Sequence, residues 1–448
     1  MSKNNGRLIG LTPLILFLIL FVGTGLVTGD FENMPLLVAF FISAGYALML
    51  NKEGEKLSIT KKIDIFMKGG GEPTIVLLVV IFLLAGAFYS VNDAMGAVES
   101  TVNFGLTILP SNFILPGIFA IGCIISFAMG TSMGTVTALA PIAVGVADQT
   151  GISVALALGV VVGGAMFGDN LSFVSDTTIA ATRTQGVELR DKFKMNFLIV
   201  LPAVIVTLII LMFIPVDTAT FEVGQYSLMN ILPYIGVIIS ALIGLNVMVV
   251  LVIGIGIGSV VGLVGGSFTV LELLGYIQRG MGWMQNLAII AMIIGGIVEL
   301  MKYYGGIDYL LNRVTSNIKS KKGGEFGIAM LVSLIDIATA NNTISIITAG
   351  PLAKDISKEY DIDPRRTASL LDIFSASFQG FVPYGGQLLV AAGIGAISPV
   401  KIMPFTIYPM LLFVFGCLAI IFGIPNFKDK AVDSFAESEP EENLENSQ

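Results

Sequence analysis

Two aspartates stand close together in a long apolar stretch in the first half of the chain. The segment GDNLSFVSDTT, residues 168–178, places Asp169 and Asp176 seven positions apart among hydroxyl and amide side chains. On a continuous helix this spacing is two turns, about 10 Å, so both carboxylates and Ser172 would share one face. A carboxylate inside a membrane is costly, and its default interpretation is functional. The alternative is that both aspartates cap a helix end near Arg183 at the cytoplasmic surface.

The composition indicates that this stretch does lie in a membrane. Of the 448 residues, 55% are hydrophobic and 12% are charged, whereas a soluble domain has roughly 25% charged residues. Apolar runs of membrane-spanning length recur along the chain, which predicts an all-α polytopic membrane protein. The chain has no histidine, which excludes a His-ligated metal site and an imidazole proton relay. No nucleophile elbow, metal-ligand cluster or ATP-binding motif occurs, so we expect no enzyme, no cofactor and no nucleic-acid partner.

The pattern of apolar segments and breaks repeats after 210 positions. Gly86 and Pro141 recur as Gly296 and Pro351, and the polar stretch 168–178 falls on FQGFVPYGGQL, which ends at Leu388. Matching breaks at a fixed separation predict two structural repeats, each with a helical hairpin and a broken helix. The predicted divisions are a first repeat at 1–215, a second repeat at 216–425 and an acidic, disordered cytoplasmic tail at 426–448.

The positive charges predict the orientation of the spans. With Lys3 and Arg7 in the cytoplasm, Lys192 falls in an inside loop, and only Arg279 and Lys401 of the 24 Lys and Arg residues fall outside. This distribution follows the positive-inside rule and predicts about 10–12 spans with both termini in the cytoplasm. The first repeat then starts inside and the second starts outside. Inverted repeats are typical of secondary transporters, whose site lies at the repeat interface.

Each repeat also contains a polar turn between two short apolar arms. The turns are GTSMGT at 130–135 and ANNTIS at 340–345. The short arms favour re-entrant helical hairpins, although fully spanning pairs stay open. Hydroxyl, amide and freed carbonyl oxygens suit a hard cation such as Na⁺, and the alternative is that these side chains only pack helices together. The candidate cation- or substrate-binding residues are Thr131, Ser132, Thr135, Asn170, Ser172, Ser175, Thr177, Asn341, Asn342, Thr343 and Gln379.

The candidate carriers of a coupled proton are carboxylates, because histidine is absent. They are Asp169, Asp176 and Asp372, the last lying near Ser375 and Gln379 at helical spacings. Asp372 could equally be a cation ligand, a proton carrier or a charge at a helix end, and the same alternatives apply to Asp336. One buried aspartate that binds either H⁺ or Na⁺, and never both, is sufficient for exchange.

The motifs GTSMGT and GDNLSFVSDTT together resemble the NhaC-type Na⁺/H⁺ antiporter family, within a larger ion-transporter superfamily built from inverted repeats with paired hairpins. The resemblance extends from about residue 70 to residue 424, and Met133 and Phe173 stand where that family usually has an aromatic residue and a proline. By this likeness the residues that map onto the family's motif positions are Thr131, Ser132, Thr135, Asp169, Ser172, Asp176 and Thr177.

The resemblance implies a Na⁺/H⁺ antiporter in the bacterial inner membrane. One hypothesis places Na⁺ at Asp176, Ser132 and Thr177. Because the family also includes organic-acid exchangers and sodium-coupled amino-acid carriers, a Na⁺-coupled symporter or exchanger of a small organic solute stays open, with Gln379 and YGGQ (384–387) as solute contacts. The expected partners are Na⁺, H⁺ and the lipid bilayer, with an organic solute and a second copy of the chain in a homodimer as open alternatives.

Overall fold

The computed structural model describes residues 6–28, 33–52, 56–108, 110–173, 175–216, 224–315 and 318–425. The predicted tail at 426–448 lies outside the described residues. Twenty α-helices make up most of the described chain. The first ten are α1 (Thr12–Thr28), α2 (Leu36–Met49), α3 (Ile59–Gly70), α4 (Pro73–Ala94), α5 (Ala97–Ile108), α6 (Ile114–Met129), α7 (Ser132–Thr150), α8 (Val154–Leu171), α9 (Asp176–Gln185) and α10 (Leu189–Phe213).

The other ten are α11 (Leu228–Leu242), α12 (Val247–Val264), α13 (Val270–Tyr303), α14 (Gly306–Thr315), α15 (Lys321–Thr339), α16 (Asn342–Glu359), α17 (Pro364–Gln379), α18 (Gly386–Gly395), α19 (Pro399–Ile402) and α20 (Ile407–Phe422). Helices α6 and α7 form one hairpin, and α15 and α16 form a second hairpin. Each hairpin packs against a helix that is broken near its middle, namely α8 followed by α9, and α17 followed by α18.

The described helices include several that are long and apolar enough to cross a bilayer. Six of the described helices have the length and composition of a membrane span. A seventh span is added if α18 and Pro399–Phe405, which are bent by 101° relative to each other, form one span. Large apolar side chains face outward on these helices, including Ile19 and Val260, which are 63% and 62% exposed. Lipid would cover such side chains. The chain is therefore an all-helical, polytopic membrane protein, as the composition predicts.

The bounds of the helices recur at a separation of 210 positions. Helix α7 begins at Ser132 and α16 at Asn342, while α9 spans 176–185 and α18 spans 386–395. The residue that ends the first arm of each hairpin is left-handed, with φ of 66° at Gly130 and 51° at Ala340. Glycine adopts this conformation without strain, and for alanine it is uncommon. The two halves thus build the same order of hairpin and broken helix.

Glycines allow the hairpin of the first half to lie close to its broken helix. A Cβ at Gly164 of α8 would lie 2.6 Å from the carbonyl oxygen of Phe119 in α6, and a Cβ at Gly168 would overlap with Ser126. The Ser126 hydroxyl donates to the carbonyl of Ala165 across the same interface. Small residues at such contacts bring backbones together and position the end of α8 beside the hairpin tip.

Candidate functional site

The side chain of Asp169 is the point where the two hairpins meet. It is 4% exposed and lies in the last turn of α8. Its Oδ2 accepts hydrogen bonds from the Ser132 hydroxyl at 2.6 Å and from the Asn342 amide at 3.2 Å. Ser132 begins α7 and Asn342 begins α16, so a residue from each half of the chain contacts this one carboxylate.

Two glutamines extend this network within the second half. The Gln387 amide donates to the Ser132 hydroxyl at 2.8 Å, and the Gln379 amide donates to Gln387 at 2.9 Å. Gln379 also donates to the carbonyl of Ala340, the left-handed residue at the second hairpin tip, at 3.2 Å. Gln379 ends α17 and Gln387 lies in the first turn of α18, so the broken helix of the second half contacts both hairpin tips.

A cavity of about 430 Å³ opens beside Asp169. Leu77, Leu78 and Ile81 of α4 form part of its apolar wall. Its polar wall consists of Thr74, Thr131, Ser132, Asp169, Ser175, Asp176, Thr177, Asn246, Asn341, Asn342, Thr343, Gln379 and Gln387. The structure therefore brings most of the residues predicted from the sequence to one space between the two hairpin tips.

The break between α8 and α9 places Asp169 and Asp176 on different helices. Helix α8 ends at Leu171, and Asp176 is the first residue of α9. The two aspartates therefore do not share the face of one continuous helix, although both line the cavity. The break also frees the carbonyl of Asp169, which accepts hydrogen bonds from the hydroxyls of Thr177 at 2.8 Å and Thr178 at 3.2 Å. Such hydroxyls satisfy the carbonyls that a helix end leaves without partners.

Four of the predicted residues do not line the cavity. The Thr135 hydroxyl donates to the carbonyl of Thr131 at 3.0 Å, within its own helix. Ser172 is buried where α8 ends, and the Asn170 side chain points to a second polar cluster together with Asp372. Asp176, Ser132 and Thr177 all line the cavity. The Ser132 hydroxyl, however, donates its hydrogen bond to Asp169. The sodium site expected at these three residues therefore stays a prediction.

The second polar cluster surrounds Asp372 and contacts the C-terminal end of α8 at Asn170. Its Oδ2 lies 2.7 Å from the Lys192 ammonium, and these side chains are 0% and 1% exposed, respectively. The amides of Asn196 and Asn170 donate to the same oxygen at 2.7 Å and 3.3 Å, and the Tyr408 hydroxyl donates to Oδ1 of Asn170 at 3.0 Å. Asp372 is thus a buried, paired carboxylate that lies outside the cavity lining.

The assignment of Lys192 to a cytoplasmic loop is wrong. Helix α10 already begins at Leu189, and Lys192 is buried in its first turns. The reason is a buried partner: the Asp372 carboxylate compensates a charge that would otherwise be too costly to remove from water. One sequence signal could have found this polar face of α10, because Lys192 and Asn196 are four residues apart and therefore on one face.

The comparison with known proteins agrees with this arrangement. The model of the Na⁺/H⁺ antiporter family matches the chain twice, at residues 7–216 and at residues 217–427. The chain belongs to the Na⁺/H⁺ antiporter family. The two matched ranges begin 210 positions apart. Together with similarity to NhaC antiporters of two bacteria, this match confirms the NhaC-type resemblance.

Curated relatives cover most of the chain at low identity. It is similar to the Na⁺/H⁺ antiporter NhaC of Alkalihalophilus pseudofirmus, with 26% identity over 87% of this chain and 91% of that relative. The malate-2H⁺/Na⁺-lactate antiporter of Bacillus subtilis is 24% identical over 93% of this chain and 95% of its own length. The arginine/ornithine antiporter ArcD of Halobacterium salinarum is 22% identical over 84% of this chain and 83% of its own length. These relatives share the name of antiporter and differ in what they exchange.

Proposed function

We propose that the protein is a secondary active transporter, and not an enzyme, that exchanges Na⁺ for H⁺ across a bacterial inner membrane, with Asp169 binding the two ions in turn. One observation carries this proposal: a single buried carboxylate contacts the tips of both hairpins and faces a cavity. Family membership supports the choice of ions. The two-fold match of the family model and the recurring helix bounds support two repeats at 1–215 and 216–425, and the positive charges support their inverted orientation.

The chemistry of Asp169 is that of one site with two mutually exclusive occupants. An ionised carboxylate, with hydroxyl, amide and carbonyl oxygens around it, provides the oxygen ligands that Na⁺ prefers. A protonated carboxyl is neutral and no longer attracts the cation. Ser132 and Asn342 hold the same carboxylate oxygen from opposite halves, so a change of occupant at Asp169 acts on both hairpin tips together. That is the link between binding and alternating access.

The test uses purified protein in sealed liposomes that contain a pH-sensitive dye. A pH gradient is imposed, Na⁺ is added outside, and valinomycin with K⁺ controls the membrane potential. We expect Na⁺ to collapse the gradient in the wild type and not in Asp169→Asn. The matched control is Asp64→Asn, which removes an exposed carboxylate on α3 and should transport normally. Full exchange by Asp169→Asn would overturn the assignment of the site.

A second function is favoured by the size of the cavity. Its volume of about 430 Å³ exceeds the space that a bare cation occupies and falls within the roughly 300–1,000 Å³ of small-molecule sites. Gln379 and Gln387 line it, as a hydrogen-bonding solute would require. The alternative is therefore a Na⁺-coupled symporter or exchanger of a small organic solute. If Na⁺ alone leaves the pH gradient intact and an added carboxylate or amino acid starts the exchange, this alternative replaces the first.

A further inference from the structure

Asp336 is a buried carboxylate that the exchange mechanism at Asp169 does not use. It lies on α15, one turn before the hairpin tip, and is 0% exposed. Within the described residues no donor makes a hydrogen bond of good geometry to either carboxylate oxygen, although the Ser345 hydroxyl lies beside the carboxyl group. An ionised carboxylate in this place would be an uncompensated buried charge, which is strongly unfavourable. A protonated carboxyl group removes that charge and gains a donor.

Among the described residues, no cation compensates a charge on Asp336. The buried cations on neighbouring elements are used elsewhere, since Lys192 pairs with Asp372 and Arg366 pairs with Glu325. No charged side chain in the described parts of α13, α14, α16, α17 and α20, which pack against α15, contributes to the electrostatic environment of Asp336. Its ionisable neighbour is the Tyr384 hydroxyl, which donates to the carbonyl of Ile337 at 2.7 Å.

A short chain of groups connects Asp336 to the ion site. The Ser345 hydroxyl lies beside the Asp336 carboxyl and donates to the carbonyl of Asn342 at 2.7 Å. The Asn342 amide in turn donates to Asp169 at 3.2 Å. A protonated Asp336 can donate to the Ser345 oxygen and leave that hydroxyl bonded to Asn342. An ionised Asp336 would accept the Ser345 proton instead, because a carboxylate is the stronger acceptor, and Asn342 would lose its donor at the tip.

The first half of the chain has a neutral donor at the matching position. Ser126 lies 210 positions before Asp336, is buried, and donates its hydroxyl proton to the carbonyl of Ala165. The hairpin arm is therefore built to place a neutral hydrogen-bond donor here. Asp336 meets that requirement when it carries a proton, and it has the further property that the proton can leave.

We propose that Asp336 is a second proton-binding site, separate from Asp169, and that Ser345 transmits its protonation state to the hairpin tip at Asn342. The proton enters from one side of the membrane and leaves to the other as the hairpin moves. The exchange then carries one more proton per Na⁺ than Asp169 alone would carry. The coupling rests on the proposed antiport function, whereas the presence of the proton does not.

Infrared difference spectroscopy tests the proton directly and does not require transport. The carbonyl stretch of a protonated carboxylic acid is compared between the wild type and Asp336→Asn while the pH is raised. We expect the wild type to show a carboxylic-acid band that weakens as the pH is raised. We expect this band to be missing in Asp336→Asn. A missing band would mean that Asp336 is ionised, and a band that never titrates would mean a purely structural proton, so either result would overturn the proposal.

Transport measurements test the coupling. With the potential held at zero, the Na⁺ gradient that just balances a fixed pH gradient gives the number of protons per Na⁺. We expect this number to fall by one in Asp336→Asn and to stay unchanged in the control Asp64→Asn. An unchanged number in Asp336→Asn overturns the proposal. If the wild type shows no exchange with Na⁺, the proposed function fails, and the infrared result still decides whether Asp336 binds a proton.

The role of Ser345 is tested by a double-mutant cycle on the apparent affinity for Na⁺. Because Asp336 acts through Ser345, we expect the effects of Asp336→Asn and Ser345→Ala to be non-additive. The matched control is Ser333→Ala on the same helix as Asp336, whose hydroxyl donates to the carbonyl of Ala329 at 2.8 Å. Additive effects of Asp336→Asn and Ser345→Ala would exclude Ser345 as the connection.

Discussion

The Lys192 ammonium lies 2.7 Å from Oδ2 of Asp372, and the pair joins α10 of the first half to α17 of the second. Lys192 also donates to the carbonyl of Asn170 at 2.8 Å, immediately after Asp169. The pair therefore fixes the end of α8 from outside the cavity lining, and it holds the backbone next to Asp169.

Loss of Lys192 should destabilise the protein severely. We expect Lys192→Met to lower the free energy of unfolding by about 3–5 kcal/mol, because the Asp372 carboxylate stays buried without its partner. Thermal unfolding in detergent measures the loss. The control is Lys194→Met, which removes an exposed ion pair with Asp191 at 3.7 Å and should cost about 1 kcal/mol or less.

The double variant Lys192→Met/Asp372→Asn separates a structural from an ion-carrying role of Asp372. We expect it to recover much of the stability of the wild type that Lys192→Met loses, because no unpaired charge remains. We also expect it to exchange Na⁺ for H⁺, since Asp372 does not line the cavity. A stable double variant without exchange would instead support the prediction that Asp372 carries an ion. The measurement is the dye assay in liposomes.

Removal of the Ser132 hydroxyl should weaken Na⁺ binding. Its hydrogen bond to the carboxylate of Asp169 orients that ligand, and a bond to a charged group contributes about 1.5–3 kcal/mol. We expect Ser132→Ala to raise the apparent Michaelis constant for Na⁺ about tenfold, which corresponds to about 1.4 kcal/mol. Thr137→Val on the same helix is the control, because the Thr137 hydroxyl donates within α7, to the carbonyl of Met133 at 2.8 Å. Equal affinities in both variants would contradict the role of Ser132.

Asp176 should be required for transport and dispensable for folding. It lines the cavity as the first residue of α9, where a carboxylate also interacts favourably with the helix dipole by about 0.3–1 kcal/mol. We expect Asp176→Asn to abolish exchange and to change stability by no more than this amount. Glu188→Gln, at the start of α10, is the control. Normal transport by Asp176→Asn would mean that this carboxylate only interacts with the dipole of α9.

Protons should compete with Na⁺ at Asp169. If one carboxylate binds either ion, acidification raises the apparent Michaelis constant for Na⁺, by about tenfold per pH unit once the site is mostly protonated, and leaves the maximal rate unchanged. The initial rate of Na⁺ uptake at several internal and external pH values measures this effect. A maximal rate that falls while the Michaelis constant stays constant would show that the inhibiting proton binds elsewhere.

A glycine contact between α4 and α13 should be sensitive to one added methyl group. A Cβ at Gly86 would overlap with the carbonyl oxygen of Gly280, so the helices would have to separate. We expect Gly86→Ala to destabilise the protein by about 1–3 kcal/mol. Gly282→Ala is the control, because a Cβ at Gly282 meets no atom of the described residues within 4 Å. Unfolding in detergent should leave this control unchanged or slightly stabilised, since alanine favours a helix.

Several features of this protein follow from local sequence and could be predicted from it. Membrane residence, the two polar hairpin turns and the two broken helices depend on hydropathy, on glycine and on residue type over a few turns. Asp169 is a strong candidate for the same reason, because a carboxylate in an apolar run is too costly to bury without a functional role. The repeat separation of 210 positions also predicts which elements of the two halves are equivalent. Ser132, for example, corresponds to Asn342.

The partners of the buried polar groups could be identified only in the folded structure. Asp169 meets Asn342, Asp372 meets Lys192, and the Gln387 amide reaches Ser132. Residues so far apart in the sequence are brought together by the packing of helices, which residue spacing does not encode. For the same reason the sequence placed Lys192 in a loop and left the role of Asp372 open among ligand, proton carrier and helix-end charge. A buried charge is tolerated wherever the fold supplies its counter-charge, and that supply is a property of three-dimensional contacts.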